Sequence, residues 1–175
     1  GDRASILTGA SNNDTQHSID IARAAQDAGA HGLLLVTPYY NKPPQSGLAA
    51  HFLAIADATD LPIMTYDIPG RTGTPIHPET FARLAEHPRI VANKDAKADI
   101  ASSAEVIAST GLAWYSGDDA LTLPLLSVGA VGVVSVVGVA LGDRIGQMMA
   151  AYRSGDVAGA TRLNASMLPA YVGMF

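Results

Sequence analysis

Apolar residues form two kinds of run along this chain. Short runs without polar alternation occupy residues 4–7, 32–36, 62–66, 90–94, 113–116 and 131–136. Such runs predict strands buried on both faces, as in a parallel sheet. Between them the pattern turns helical over residues 14–28, 45–58, 78–86, 99–109, 121–128 and 143–153, and again from Val157 onward. Gly29 follows the first helical stretch as a C-terminal cap. The chain is therefore expected to hold six strands, each followed by a helix. Repeated βα units of about 25–30 residues build either a doubly wound sheet or a (β/α)8 barrel.

Two features decide between these. No G-x-G-x-x-G follows a strand and no G-x-x-x-x-G-K-[ST] exists, so dinucleotide and P-loop readings lose support. Polar residues stand instead at many strand ends: Ser11-Asn12-Asn13, Thr37 to Asn41, Tyr66-Asp67, Lys94, and Ser116-Gly117-Asp118-Asp119. Chemistry distributed over several strand ends is the barrel arrangement. The expected class is α/β, a TIM barrel of which about six βα units are present. The chain begins at Gly1 with a strand-like run close behind and stops at Phe175 inside an apolar helical pattern, so a piece of a longer protein is expected.

Residues 120–142 carry no charge, a length that can span a bilayer. Pro124, four glycines at 129, 132, 138 and 142, and flanking Asp118, Asp119 and Asp143 in place of basic anchors argue against a span. The stretch divides more naturally into a helix and a strand. Net charge is −5, with no Lys/Arg cluster, which disfavours a nucleic-acid surface. The absence of cysteine excludes disulfides and thiolate metal sites. It is compatible with a reducing compartment, and a cytoplasmic protein is expected.

Lys94 closes a buried strand. Alternation puts Ala92 and Lys94 on one face, with Val91 and Asn93 on the other. Desolvation lowers the proton affinity of such an amine and makes it a nucleophile for carbonyl carbon. Position alone fits equally well a lysine whose head reaches water or pairs with Asp95. Tyr66 ends the preceding strand on the matching face, where its phenol can shuttle protons or simply pack its ring. Pro69-Gly70 predicts a turn that presents Arg71, which suits a carboxylate or a surface ion pair. Asp118 and Asp119 are expected to close the strand end or cap the helix at Ala120. His17, His31, His51, His77 and His87 show no metal-ligand spacing, so no metal is called for.

Five motifs in order carry a resemblance: Tyr39-Tyr-Asn-Lys-Pro43, Tyr66-Asp-Ile-Pro-Gly-Arg-Thr-Gly73, Ile90-Val-Ala-Asn-Lys-Asp95, Ser116-Gly-Asp-Asp-Ala120 and Gly132-Val-Val-Ser-Val136. Together they resemble the dihydrodipicolinate synthase (4-hydroxy-tetrahydrodipicolinate synthase) family, and Lys94 to Asp99 leans toward its actinobacterial members. The resemblance implies that residues 1–155 are barrel strands 3 to 8 with their helices and that 156–175 begin a C-terminal helical region. It implies a Schiff-base condensation of pyruvate with L-aspartate 4-semialdehyde, in lysine and diaminopimelate synthesis, by a homodimer or homotetramer without a cofactor. Lys94 matches the Schiff-base lysine and Tyr66 the proton-relaying tyrosine. Tyr40 matches a tyrosine that crosses the dimer interface into the neighbour's relay, and Tyr39 another interface tyrosine. Arg71 matches the arginine at the entrance. Val134 matches a residue whose backbone carbonyl faces the bound pyruvate. The family's Gly-Thr-Thr-Gly-Glu segment would lie upstream of Gly1, and Asn93 stands where the family usually has an apolar residue. The alternatives are a sibling pyruvate aldolase (a sialate lyase or keto-deoxy-sugar aldolase), a non-catalytic fragment, and a phosphate-binding barrel isomerase. The last would want a glycine-rich loop after the final strands.

Overall fold

The computed structural model describes residues 3–174; Gly1, Asp2 and Phe175, the outer limits of the two expected segments, lie outside the described residues. Six strands form one sheet in sequence order: β1 (Leu7–Gly9), β2 (Gly32–Val36), β3 (Ile63–Asp67), β4 (Ile90–Asp95), β5 (Ala113–Ser116) and β6 (Gly132–Val133). Every adjacent pair is parallel. The helices are α1 (Thr15–Asp27), α2 (Gln45–Asp57), α3 (Pro69–Thr72), α4 (Pro78–Ala85), α5 (Ile100–Ser109), α6 (Thr122–Leu126), α7 (Gly138–Arg153) and α8 (Val157–Gly173). A curled sheet with its helices outside is the larger part of a (β/α)8 barrel, as the βα rhythm predicted.

The strands are apolar on both faces because each face has its own task. Outward-facing Leu33, Leu35, Ile63, Ile90 and Trp114 pack with Phe52, Ile55, Phe81, Leu84 and Val106 from the helical shell. Burial of this kind stabilises by about 25 cal/mol per Å² of apolar surface. Phe81 meets Trp114 edge-on, with ring centroids 5.1 Å apart. A second cluster joins Ile145 and Met148 of α7 to Ala160, Met167 and Tyr171 of α8. No helix of the described residues is long and apolar enough to cross a membrane. The uncharged stretch divides into α6 and β6, as its glycines predicted.

Several boundaries differ from expectation. Strand β1 lies at Leu7–Gly9 instead of residues 4–7, because pairing with Gly32–Leu34 of β2 sets its register. Strand β6 keeps only two of the expected six residues: beyond it the chain turns away to bond Asp119. Helix α7 starts at Gly138 instead of residue 143 and bends at Leu141. Its first turn is held by the Gly138 N–H donating to Ser135 Oγ at 2.6 Å, a contact invisible to periodicity. The expected turn at Pro69-Gly70 winds on into one helical turn, closed by Gly73 at φ +80°, where a β-carbon would be strained.

Candidate active site

Strands β3 and β4 run in register so that Tyr66 faces Lys94 and Asp67 faces Asp95. The pair of side chains meets on the concave face, where the Lys94 Nζ lies 4.0 Å from the centroid of the Tyr66 ring. That is a cation–π contact when the amine is protonated. Upstream, the register slips between Ile63 and Met64, and Val91 becomes the extra residue of a bulge. Val91 is 45% exposed and lines the concave hollow beside Ala92. The expected pairing of Val91 with Asn93 on the outer face therefore fails at Val91, while Asn93 does point outward and is fully buried. Asp95 also faces outward. It accepts from Trp114 Nε1 at 2.9 Å, from the Lys97 N–H at 2.8 Å and from the Ser103 hydroxyl, and is not the partner of Lys94.

Lys94 and Tyr66 open into a cleft of about 630 Å³, which Arg71, Gly117, Asp118 and Val136 also line. A neighbouring cleft of about 420 Å³ shares Tyr66 and Arg71 and includes Tyr39 and Ser11. Burial pushes the Lys94 amine below its ordinary proton affinity, and the Asp119 carboxylate partly restores it. Burial also pushes the Tyr66 phenol up, against a smaller opposing effect from Arg71. An amine that sheds its proton more readily beside a phenol that keeps its own is a suitable pairing for attack on a carbonyl with proton return to oxygen. Gly117 is required sterically, since a β-carbon there would stand 2.9 Å from Lys94 Cγ and 3.1 Å from the Asp95 carbonyl oxygen.

The structure thus gathers Lys94, Tyr66 and Arg71 at one mouth, with Tyr39 adjoining. Tyr40 is not in the cleft: it is 89% exposed, at φ +74°, and projects outward. The loop that carries it is tied to the loop after β1, through Asn13 Nδ2 donating to the Tyr39 carbonyl at 3.2 Å and Asn41 Nδ2 to the Asn13 carbonyl at 3.1 Å. Val134 is half-buried and donates its N–H to the Ser116 carbonyl at 2.8 Å. The side chain from that loop that reaches the cleft is Val136. Asp118 caps the following turn through the Ala120 N–H at 2.9 Å, and Asp119 closes the strand end by accepting from the Val136 and Val137 N–H groups. Behind the cleft face, Lys97 and its approach to Asp67 at 3.8 Å escaped sequence reasoning, which marked Asp67 only as a polar residue at a strand end.

Fold and site together define a (β/α)8-barrel protein with a lysine and a tyrosine on neighbouring strand ends. The dihydrodipicolinate synthetase family model matches residues 1–175, and the chain belongs to that family. It is 62% identical over 175 residues to 4-hydroxy-tetrahydrodipicolinate synthase 2 of Streptomyces coelicolor and 61% identical to the 4-hydroxy-tetrahydrodipicolinate synthase of Acidothermus cellulolyticus. All of this chain is covered in both cases, against 58% and 57% of those proteins, so the chain spans somewhat over half the length of these curated relatives. Among solved structures, a dihydrodipicolinate synthase from Cyanidioschyzon merolae with lysine bound superposes with a TM-score of 0.94 at 44% identity, covering 95% of this chain and 58% of that one.

Proposed function

We propose that the protein acts in a Schiff-base condensation of pyruvate with L-aspartate 4-semialdehyde that yields 4-hydroxy-tetrahydrodipicolinate. The observation that carries this reading is the Lys94–Tyr66 pair, an amine 4.0 Å from a phenol ring inside a cleft rimmed by Arg71. Neutral Lys94 attacks the keto carbon of pyruvate to give a carbinolamine. Tyr66 returns a proton to the departing oxygen, and water leaves. The iminium withdraws electrons, so a methyl proton is lost and an enamine forms. The enamine carbon attacks the aldehyde carbon, whose oxygen takes up a proton. The amino group of the second substrate then displaces Lys94 by transimination, and the cyclic product departs.

Arg71, which lines both clefts, receives the second substrate's carboxylate at the entrance, and the carbonyl of Val134 faces the pyruvate. On this reading residues 1–155 supply barrel strands 3 to 8 and residues 156–175 the start of the C-terminal helical region. Tyr39 and Tyr40 serve a subunit interface in a homodimer or homotetramer. Support for the latter is the exposure of the Tyr40 ring on a loop held by two cross-loop hydrogen bonds. Among the structural neighbours, one is described as a monomeric dihydrodipicolinate synthase variant.

Borohydride reduction of the full-length protein in the presence of pyruvate tests the chemistry. The expected result is a pyruvyl mass increment located on Lys94 and absent from Lys94→Ala. A wild-type protein that gives no adduct overturns the reading.

A further inference from the structure

The loop after β6 is held by a side chain from another βα unit. Regular sheet pairing ends at Val133, and the last sheet-like bond is the Val134 N–H to the Ser116 carbonyl at 2.8 Å. Beyond that point residues 135–137 have no strand ladder, yet they form the wall that brings Val136 into the cleft with Lys94. Asp119, 1% exposed, takes over. One of its oxygens accepts from the Ser135 hydroxyl. The other accepts from the Val136 N–H at 3.0 Å and the Val137 N–H at 3.2 Å. Ser135 Oγ in turn accepts from the Gly138 N–H at 2.6 Å, so one carboxylate also organises the first turn of α7.

We propose that Asp119 is a positioning residue for the chemistry at Lys94, its buried carboxylate fixing the 135–138 loop against the cleft and serving as the amine's counter-charge. The proposal rests on the Schiff-base reading above and extends it. Asp119 touches no substrate; it acts through the loop and through its field. A buried carboxylate that accepts several hydrogen bonds is fixed in one orientation, and its field on a neighbouring amine is little screened by water. The titratable and charged groups around the amine are the Tyr66 ring from β3, Tyr115 opposite it in register on β5, Arg71 from α3, and Asp118 with Asp119 from the turn after β5. On the far side, Tyr171 of α8 packs toward Asp119, and its phenol is pushed up first by burial and then by that same carboxylate. Asp119 is the one anion among these that is fully buried and whose bonds reach the cleft wall.

The test is the rate of borohydride trapping by pyruvate against pH in the full-length protein, for wild type, Asp119→Asn and Ser135→Ala. An amide presents one acceptor oxygen only, so Asp119→Asn can keep the two N–H bonds only by turning its Nδ2 toward Ser135 Oγ, which leaves the serine hydroxyl without its acceptor. It also loses the charge. The expected plateau rate falls roughly 10- to 100-fold, the scale of a small misplacement. The pH midpoint of trapping moves down, because an amine without its counter-charge sheds its proton at lower pH. Ser135→Ala keeps the charge and the two N–H bonds, so its plateau falls roughly 2- to 10-fold by the same misplacement argument, with the midpoint unmoved. A lost fold alone lowers the amount of active protein without moving the midpoint. A folded Asp119→Asn protein with the wild-type plateau, or with a lowered plateau and an unmoved midpoint, overturns the proposal. So does a Ser135→Ala protein with the wild-type plateau, which remains decisive if Asp119→Asn fails to fold. Failure of the wild-type protein to form any adduct overturns the Schiff-base reading itself, and this proposal with it.

Discussion

The ends of β3 and β4 present two faces that differ in how they treat charge. On the concave face, Tyr66 and Lys94 stand opposite each other, half-buried and open to a cleft. Among the described residues no carboxylate lies within ion-pairing distance of the Lys94 amine, whose nearest aromatic contact is a ring face. One residue further along each strand, Asp67 and Asp95 stand opposite each other on the outer face, fully enclosed by the shell. There Asp95 is saturated by Trp114, Ser103 and the Lys97 N–H. The contrast separates two uses of a buried ionisable group. Where hydrogen bonds hold the charge in place, the group is scaffold; where no carboxylate is bonded to it directly, the group stays available to react.

The largest expected effect breaks the concave face alone. Lys94→Ala removes the proposed nucleophile, and turnover in the full-length protein is expected to fall by roughly 10³-fold or more. Its denaturation midpoint stays close to wild type, since the amine makes no bond that the fold depends on. Asp95→Ala is the converse. It leaves the Trp114 indole N–H without its partner, while Ser103 keeps the Asp99 carbonyl at 2.9 Å. With buried donors costing about 1–3 kcal/mol each, a loss of roughly 3 kcal/mol is expected in urea unfolding at neutral pH. Substantial destabilisation by Lys94→Ala, with none by Asp95→Ala, would remove the distinction between the faces.

Asp67 sits between these extremes, and pH exposes it. Its carboxyl is pushed up to about 7, chiefly by burial and slightly by Asp95, against the opposing pull of Lys97 and the Ile76 N–H. Lys97 Nζ is 3.8 Å from one oxygen, and that oxygen has no hydrogen-bond partner. The folded state therefore holds this proton more tightly than the unfolded chain does. The stability it confers is complete below about pH 4 and is lost as pH rises through about 7. The expected loss attributable to this group is on the order of 2–4 kcal/mol. Asp67→Asn should flatten the decline between about pH 4 and 7 in denaturation curves recorded across that range. An unchanged slope would mean that Lys97 neutralises Asp67 far better than the 3.8 Å separation implies.

The concave pair was legible in the sequence for a simple reason. Both residues end short apolar strands, alternation aligns them with Met64 and Ala92, and strand ends are where barrel chemistry gathers. Strands β2 and β5 were legible to the residue, since turn-forming positions bracket them. The outer cluster was not legible, because Asp95 collects donors from residues 97, 103 and 114, which only the closed fold brings together. Val91 escaped for a related reason: a bulge exists only relative to the partner strand. The short β6 escaped because its end is set by Asp119, in a different βα unit. Local pattern thus revealed the strands and the polar residues at their tips. Features fixed by long-range polar bonds required the fold.

The smallest expected effect lies at Asn93, on the outer face immediately before Lys94. It is fully buried, and its Oδ1 accepts from the Thr65 hydroxyl at 2.8 Å, yet its Nδ2 has no hydrogen-bond partner. A buried unpaired amide donor costs about 1–3 kcal/mol, while a typical hydrogen bond returns about 1 kcal/mol. Asn93→Val deletes both at once. The Thr65 hydroxyl keeps a second acceptor, the Ala92 carbonyl at 3.3 Å, and a β-branched side chain suits the strand. The two losses nearly cancel, so Asn93→Val should be neutral or stabilising by up to about 1 kcal/mol in urea unfolding. Trapping by pyruvate should be unchanged, because the substitution stays behind the sheet. Destabilisation by more than about 1 kcal/mol would show that the Thr65–Asn93 bond contributes more than an ordinary neutral hydrogen bond. A change in trapping rate would show that the two faces are coupled through β4.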